Sequence, residues 1–134
     1  DLLRPLFLVN QNLVLDGELY VHGKSLQEIS GAVRRKDNVP DWIEYHVYDI
    51  ADTKNPQFSR INKLRNIVEL TYPDNPYIRL VDTVEVNSEA EIQNYHNTFV
   101  EAGYEGGMVR DYNAKYQIGF RDSCLLKVKE FIDE

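Results

Sequence analysis

Leu13-Val14-Leu15-Asp16-Gly17-Glu18-Leu19-Tyr20-Val21 is the stretch on which the fold turns. Side chains on a strand alternate between faces, so Leu15, Leu19 and Val21 point one way and Asp16, Glu18 and Tyr20 the other. The first face suits a core. The second sets two carboxylates side by side, an arrangement that water, a cation or sugar hydroxyls must relieve. Taken alone, this face reads equally as a solvated strand surface or as one wall of a binding site.

Working outward, Leu6-Phe7-Leu8-Val9 reads as a short buried strand. Ser25 with Glu28 three residues later is a capping box, and Leu26, Ile29 and Val33 share a face, which predicts a helix over 25–36. Ile43 to Ile50 is rich in β-branched and aromatic residues and strand-like. Phe58, Ile61, Leu64 and Val68 recur at helical spacing, and Pro73 and Pro76 punctuate a loop. Ile78 to Val86 reads as a strand. Ser88 and Glu91 form a second capping box, opening a helix with Ile92, Tyr95 and Phe99 on one face and a stop at Gly103. Short strands are predicted at 107–110 and 124–129. Strands and helices mix without strict alternation, which predicts an α+β fold of largely antiparallel sheets with flanking helices.

The 134 residues amount to one domain, enough to bury roughly two-thirds of the unfolded surface. Hydrophobic residues at 43% and charged residues at 28% exclude a disordered chain. Fifteen Lys and Arg against 22 Asp and Glu leave a net charge of -7. Such a field repels nucleic acid, so any contact with it needs local basic patches. Cys124 is the only cysteine, which points to a reducing compartment such as the cytoplasm. No apolar run of about 18 residues is present, so no membrane partner is expected.

Three further segments carry chemistry. In Leu125-Leu126-Lys127-Val128-Lys129, two lysines two apart leave one strand face, which suits a phosphate or, equally simply, guards a sheet edge. In Glu105-Gly106-Gly107-Met108-Val109-Arg110, paired glycines permit close backbone approach and a carboxylate beside them can meet a sugar or metal; a plain tight turn is the alternative. Tyr48, within Glu44-Tyr45-His46-Val47-Tyr48-Asp49-Ile50, can stack on a base or serve as a core tyrosine, one of nine in the chain. His22, His46 and His96 show no ligand spacing and read as satisfied histidines. Arg34-Arg35-Lys36 closes a helix, where cations suit the dipole, and Lys54, Arg60, Lys63 and Arg65 read as a solvated face.

The order of these segments is more specific than any one of them. Asp-Gly-Glu, then Tyr-Asp-Ile, then Glu-Gly-Gly-Met-Val-Arg, then Leu-Leu-Lys-Val-Lys-Glu-Phe resembles four successive nucleotidyltransferase motifs of the ATP-dependent polynucleotide ligases. The likeness covers almost the whole chain. Residues Ser25 to Arg35 also resemble the helix that follows the Asp-Gly-Glu strand in small, phage-type DNA ligases. The resemblance implies an ATP-grasp-like nucleotidyltransferase (adenylation) domain. Residues 1–134 are expected to form its C-terminal part, with Lys129-Glu130-Phe131-Ile132-Asp133-Glu134 at the hinge to an OB-fold domain.

The resemblance also implies roles by position. Glu18 contacts the ribose of the adenylate, Tyr48 stacks on adenine, and Glu105 helps hold a divalent metal. Lys127 and Lys129 bind the α-phosphate and stabilise charge as pyrophosphate leaves. ATP (as AMP) and Mg2+ are the implied cofactors, and nicked double-stranded DNA is the implied partner of the complete protein. The chain departs from the family pattern at the nucleophile. The family attacks phosphorus with the lysine of a Lys-x-Asp-Gly motif, and no such motif occurs in these residues; in the decoy Val14-Leu15-Asp16-Gly17, Val14 occupies the lysine's place and cannot attack phosphorus. The chain alone is therefore expected to be inactive, and loss of upstream strands is expected to expose edges or apolar surface that favours self-association. An RNA ligase, a capping guanylyltransferase and a non-catalytic nucleotide- or partner-binding module are the rival expectations.

Overall fold

Strand β1 (Leu15–Tyr20) pairs antiparallel with β2 (Glu44–Ile50), from Leu15 opposite Ile50 to Tyr20 opposite Glu44. The computed structural model describes residues 13–34, 40–70, 77–118 and 125–128. Between β1 and β2 lies helix α1 (Leu26–Val33). Its capping box is complete: the Ser25 hydroxyl accepts the Glu28 N–H at 3.1 Å, and the Glu28 carboxylate accepts the Ser25 N–H at 2.8 Å. The hydrogen bond from the Ser25 backbone, then the nearby Lys24 ammonium and the Ser25 hydroxyl, hold the Glu28 carboxyl below its ordinary range. The helix stops at Val33, shorter than the predicted 25–36.

Helix α2 (Gln57–Arg65) follows β2 and runs on as one π-helical stretch, Asn66–Leu70. Ile67 and Val68, three and four positions after Leu64, are both buried on the inward face. With Ile61 and Leu64 they pack on Val47, Ile50 and Ile78, and Leu13, Leu15, Tyr45 and Leu80 close the margin. Val47 and Leu64 are completely buried. Each such aliphatic contributes roughly 1.5–3 kcal/mol on leaving water. Phe58, expected on this face, instead stacks on Tyr112 with ring centroids 4.6 Å apart, and Gln57 takes the inward place.

Strand β3 (Ile78–Leu80) joins the free side of β2 in parallel, giving the sheet order β1-β2-β3. It is shorter than the predicted 78–86. After Val81 donates to the Val47 carbonyl, the Thr83 carbonyl accepts from Arg65 at 2.6 Å instead of continuing the ladder. Helix α3 (Glu89–Glu101) starts at Ser88, whose hydroxyl accepts the Glu91 N–H, while the Glu91 carboxylate accepts from Asn87 rather than Ser88. It ends at Gly103 with both bonds of a Schellman motif, Tyr104 N–H to Phe99 O and Gly103 N–H to Val100 O.

Helix α3 buries no residue fully. Ile92, His96 and Phe99 are half-buried, and Tyr95, expected on the inner face, is exposed. His96 explains the rotation: its Nδ1 accepts the Gly107 N–H at 3.1 Å and so faces the sheet side. Strands β4 (Met108–Arg110) and β5 (Leu125–Lys127) form a second, antiparallel sheet. Two of the three strand pairings are thus antiparallel, in the α+β pattern expected. The predicted strand at Leu6–Val9 lies outside the described residues, as do positions 124 and 129 of the predicted last strand. No helix among the described residues is long and apolar enough to cross a membrane.

Candidate functional site

The polar face of β1 meets β2 across an irregular pairing. Glu18 lies opposite His46, and Asp16 opposite Asp49, but the register shifts between Asp16 and Gly17, so Tyr48 has no residue opposite. Gly17 makes this possible. A Cβ there would overlap the His46 carbonyl oxygen and come within 2.9 Å of the Val47 Cα. The bulge leaves Tyr48 as the extra residue of β2.

Tyr48 sits against Asp16, Glu18 and Arg110. Burial, then the Asp16 carboxylate and Glu18, push its phenol up to about 12, with Arg110 acting in the opposite sense. The Arg110 guanidinium lies 5.6 Å from the ring centroid, within cation–π range. Tyr116, from the segment after β4, reaches the same place: its hydroxyl donates to Asp16 Oδ2 at 2.7 Å. Burial and that bond to Asp16 push the Tyr116 phenol up to about 12 as well.

Under this surface lies a buried ionic knot. Asp49 is 1% exposed. Its Oδ1 accepts Arg60 Nε at 2.9 Å and the Ile50 N–H at 2.8 Å. Its Oδ2 accepts Arg60 Nη2 at 3.3 Å and Arg110 Nη1. Arg60 Nη1 also donates to the carbonyls of Asn55 at 2.7 Å and Ala114 at 2.8 Å. One carboxylate thereby ties together β2, α2, β4 and the loop after β4. Arg60, read from sequence as part of a solvated basic face, is instead buried; with Asp49 two positions past Val47, its charge has a partner inside the protein.

At the other end of β1, Tyr20 feels burial first, then Tyr104, Glu18 and Glu105, all raising its phenol. Glu18 and Glu105 therefore both act on one side chain, although 87 positions apart on the chain. The turn that carries Glu105 is pinned by two histidines. His22 Nε2 donates to the Ala102 carbonyl at 2.7 Å, its Nδ1 meets the Tyr20 hydroxyl at 2.9 Å, and its ring stacks on Tyr104 at 4.1 Å. Gly106 has φ 141°, and a Cβ there would overlap His96. His46 bonds Glu44 at 3.0 Å. The histidines are satisfied structural groups, as their spacing suggests.

Lys127 is exposed and pairs with Met108, so both leave the same face of the second sheet. Arg110, two residues from Met108, shares that face, and its guanidinium reaches Asp49 and the Tyr48 ring. Lys127 thus stands on the side of β4–β5 that turns toward β1–β2. Glu18 thus neighbours both Tyr48 and Tyr20, Glu105 acts on Tyr20, Asp16 joins Tyr48 to Tyr116, and Lys127 shares the β4–β5 face from which Arg110 reaches Tyr48. Lys129 lies outside the described residues. Among the described residues no group of three or more His, Cys, Asp or Glu is placed to hold a metal ion, so Glu105 stands as a single carboxylate near Glu18. Arg110 ended a motif already singled out for its glycines and carboxylate; Tyr116 gave no sequence signal.

Comparison with known proteins identifies the family of the chain. A family model, the ATP dependent DNA ligase domain, matches residues 2–129. A DNA ligase of African swine fever virus (isolate Tick/South Africa/Pretoriuskop Pr4/1996) is 31% identical over 138 residues, across 98% of this chain and 32% of the viral protein. A DNA ligase of Haemophilus influenzae is 27% identical over 116 residues, across 86% of this chain and 42% of the bacterial one. Among solved structures, one from a structure-function analysis of Lig E DNA ligases superposes with a TM-score of 0.70 at 25% identity, covering 85% of this chain and 45% of that one. Pmar-Lig_PreS3 shares the fold with a TM-score of 0.73 at 20% identity, over 94% and 32% of the two chains. The chain spans about a third of the length of the viral relatives it matches. It belongs to the ATP-dependent DNA ligase domain family.

Proposed function

We propose that residues 1–134 supply the later half of an adenylation site in an ATP-dependent DNA ligase, up to the hinge with an OB-fold domain. The complete enzyme seals nicks in double-stranded DNA: ATP adenylates an enzyme lysine, AMP passes to the 5′-phosphate, and the 3′-hydroxyl displaces AMP. The observation that supports this reading is that Glu18 lies beside both Tyr48 and Tyr20, with Glu105 acting on the same Tyr20, in segments that follow the motif order of the family.

In this reading Tyr48 takes the adenine face and Glu18 the ribose hydroxyls. Lys127, with Lys129 beyond the described residues, neutralises the α-phosphate and the charge that develops as pyrophosphate departs. Glu105 and Glu18 suit Mg2+, which is commonly held by one or two carboxylates together with phosphates and water rather than by a closed protein cage. The metal would supply charge neutralisation at the phosphates. The fragment's exposed Val14, Leu19, Leu26 and Val33 support self-association as the way its apolar surface is covered when it stands alone.

The test is nick sealing by a ligase that carries this segment, assayed in parallel on nicked DNA and nicked RNA. Glu18→Ala and Lys127→Ala should each lower DNA sealing by about 100-fold or more, the order expected when a charge-stabilising group is removed. Sealing that survives both substitutions overturns the assignment, and preference for RNA redirects it to an RNA ligase.

A further inference from the structure

The bulge leaves no residue directly opposite Tyr48 on β1, and the Asp16 carboxylate that hydrogen-bonds its hydroxyl holds the tip of the ring without setting its plane. Something else must set that plane if the ring is to serve as a stacking surface. The ring's cationic neighbour is Arg110, and Arg110 is not a loose surface side chain. Its Nη1 is bound to Asp49, whose two oxygens also hold Arg60 and the Ile50 N–H. Arg60 is in turn bonded to two backbone carbonyls.

We infer that Arg110, anchored by the buried Asp49, is a positioning residue that sets the plane of the Tyr48 ring on which a purine base stacks. This rests on the proposed reading of Tyr48 as the base platform. The guanidinium is planar and weakly hydrated, so it can lie along an aromatic face while one edge stays bonded to a carboxylate. With Arg110 on one side of the ring, a base is left the other. The platform is therefore single-sided, and its orientation is transmitted from α2 through Arg60, Asp49 and Arg110. A lysine at position 110 could keep the charge pair with Asp49 but not span both the carboxylate and the ring. Arginine at this place thus does two jobs, of which pairing with Asp49 is only one.

The test compares AMP with ribose 5-phosphate, which lacks the base, as NMR-titrated ligands of the 134-residue chain. Wild type, Tyr48→Leu, Arg110→Met and Arg110→Lys are titrated, and their melting temperatures are measured. Arg110→Met and Arg110→Lys should weaken AMP by about 5- to 20-fold, a fraction of the stacking contribution of one base, and leave ribose 5-phosphate unchanged. Arg110→Lys should melt near wild type, which keeps the test readable if Arg110→Met fails to fold. Equal weakening of both ligands, or AMP binding untouched in Arg110→Lys while Tyr48→Leu loses it, overturns the positioning role alone. If Tyr48→Leu binds AMP as wild type does, or wild type does not prefer AMP to ribose 5-phosphate, the platform reading fails and takes this inference with it.

Discussion

Replacing Arg60 by Met should cost about 3–5 kcal/mol of folding stability, the range for removing one partner of a buried ion pair. Arg60 is 3% exposed and makes four hydrogen bonds, two to Asp49 and one each to the Asn55 and Ala114 carbonyls. Methionine fills most of the volume, so the loss is not chiefly one of packing. What remains is a buried carboxylate with only Arg110 to balance it, and two carbonyls short of a donor at about 1 kcal/mol each. Arg110 lies at 19% side-chain exposure and keeps its bond to Asp49, which holds the cost within that range rather than above it. Against a domain stability of about 5–15 kcal/mol, the variant should sit close to unfolding at room temperature. Urea denaturation followed through the single Trp42 measures it. Arg79→Met, which removes a 3.5 Å pair from a half-exposed site, is the control and should cost less than about 1 kcal/mol. A loss for Arg60→Met no greater than for Arg79→Met would refute the claim that this knot organises the four segments it joins.

Leu64→Ala, at a completely buried position between α2 and the first sheet, should cost about 2–5 kcal/mol by the same denaturation assay. Incubation of the chain with ATP and magnesium should leave its intact mass unchanged, because no Lys-x-Asp-Gly is present to form a covalent adenylate. Alkaline titration should expose the raised phenols. Tyr48 and Tyr116 reach about 12 in the fold against about 10 in an unfolded chain, so the folded state holds more protons between those values. Their contribution to stability is complete below pH 10 and is lost as pH rises through 12, so denaturant midpoints should fall across that window and more shallowly in Tyr116→Phe. Sedimentation velocity should show concentration-dependent association of the chain, which a monomer across the whole concentration range would contradict.

Much of the element order was legible because it rests on local signals. Ser25 with Glu28 and Ser88 with Glu91 mark the two helix starts, and the Leu15-to-Tyr20 alternation marks β1. What was not legible depends on partners distant in sequence. The predicted strand over 78–86 ends at Leu80, and beyond it the Val81 carbonyl accepts from the Thr83 hydroxyl and the Thr83 carbonyl from Arg65, 18 positions earlier. Tyr95 turns outward because His96 answers a glycine eleven residues away. Arg60 looked solvated because its local neighbours carry no acid, and its partner lies on another strand. The neighbourhood that Glu18 shares with Tyr48 and Glu105 followed from motif order rather than from periodicity, which assigns faces but not which faces meet.

The Asp-Gly-Glu segment gains a physical reason that the motif alone does not supply. A Cβ at position 17 would collide with the backbone of β2, so glycine is what lets the two strands close at that point. The close approach coincides with the register shift, and the shift leaves Tyr48 as the unpaired residue. Along β2 the alternation holds, with Val47 and Asp49 buried on one face and His46 and Tyr48 part-exposed on the other. Asp49 pairs opposite Asp16 and is still buried, held by two arginines, while Tyr48 stands beside the Asp16 carboxylate. The glycine, the aromatic ring and the acid next to it are therefore parts of one local deformation. Glu18, one residue past the glycine, returns to regular pairing opposite His46 and so keeps a defined direction beside the unpaired Tyr48. On the proposed reading, in which Glu18 meets the ribose and Tyr48 the base, an irregular pairing between β1 and β2 lets the two strands address a sugar and its base in different directions.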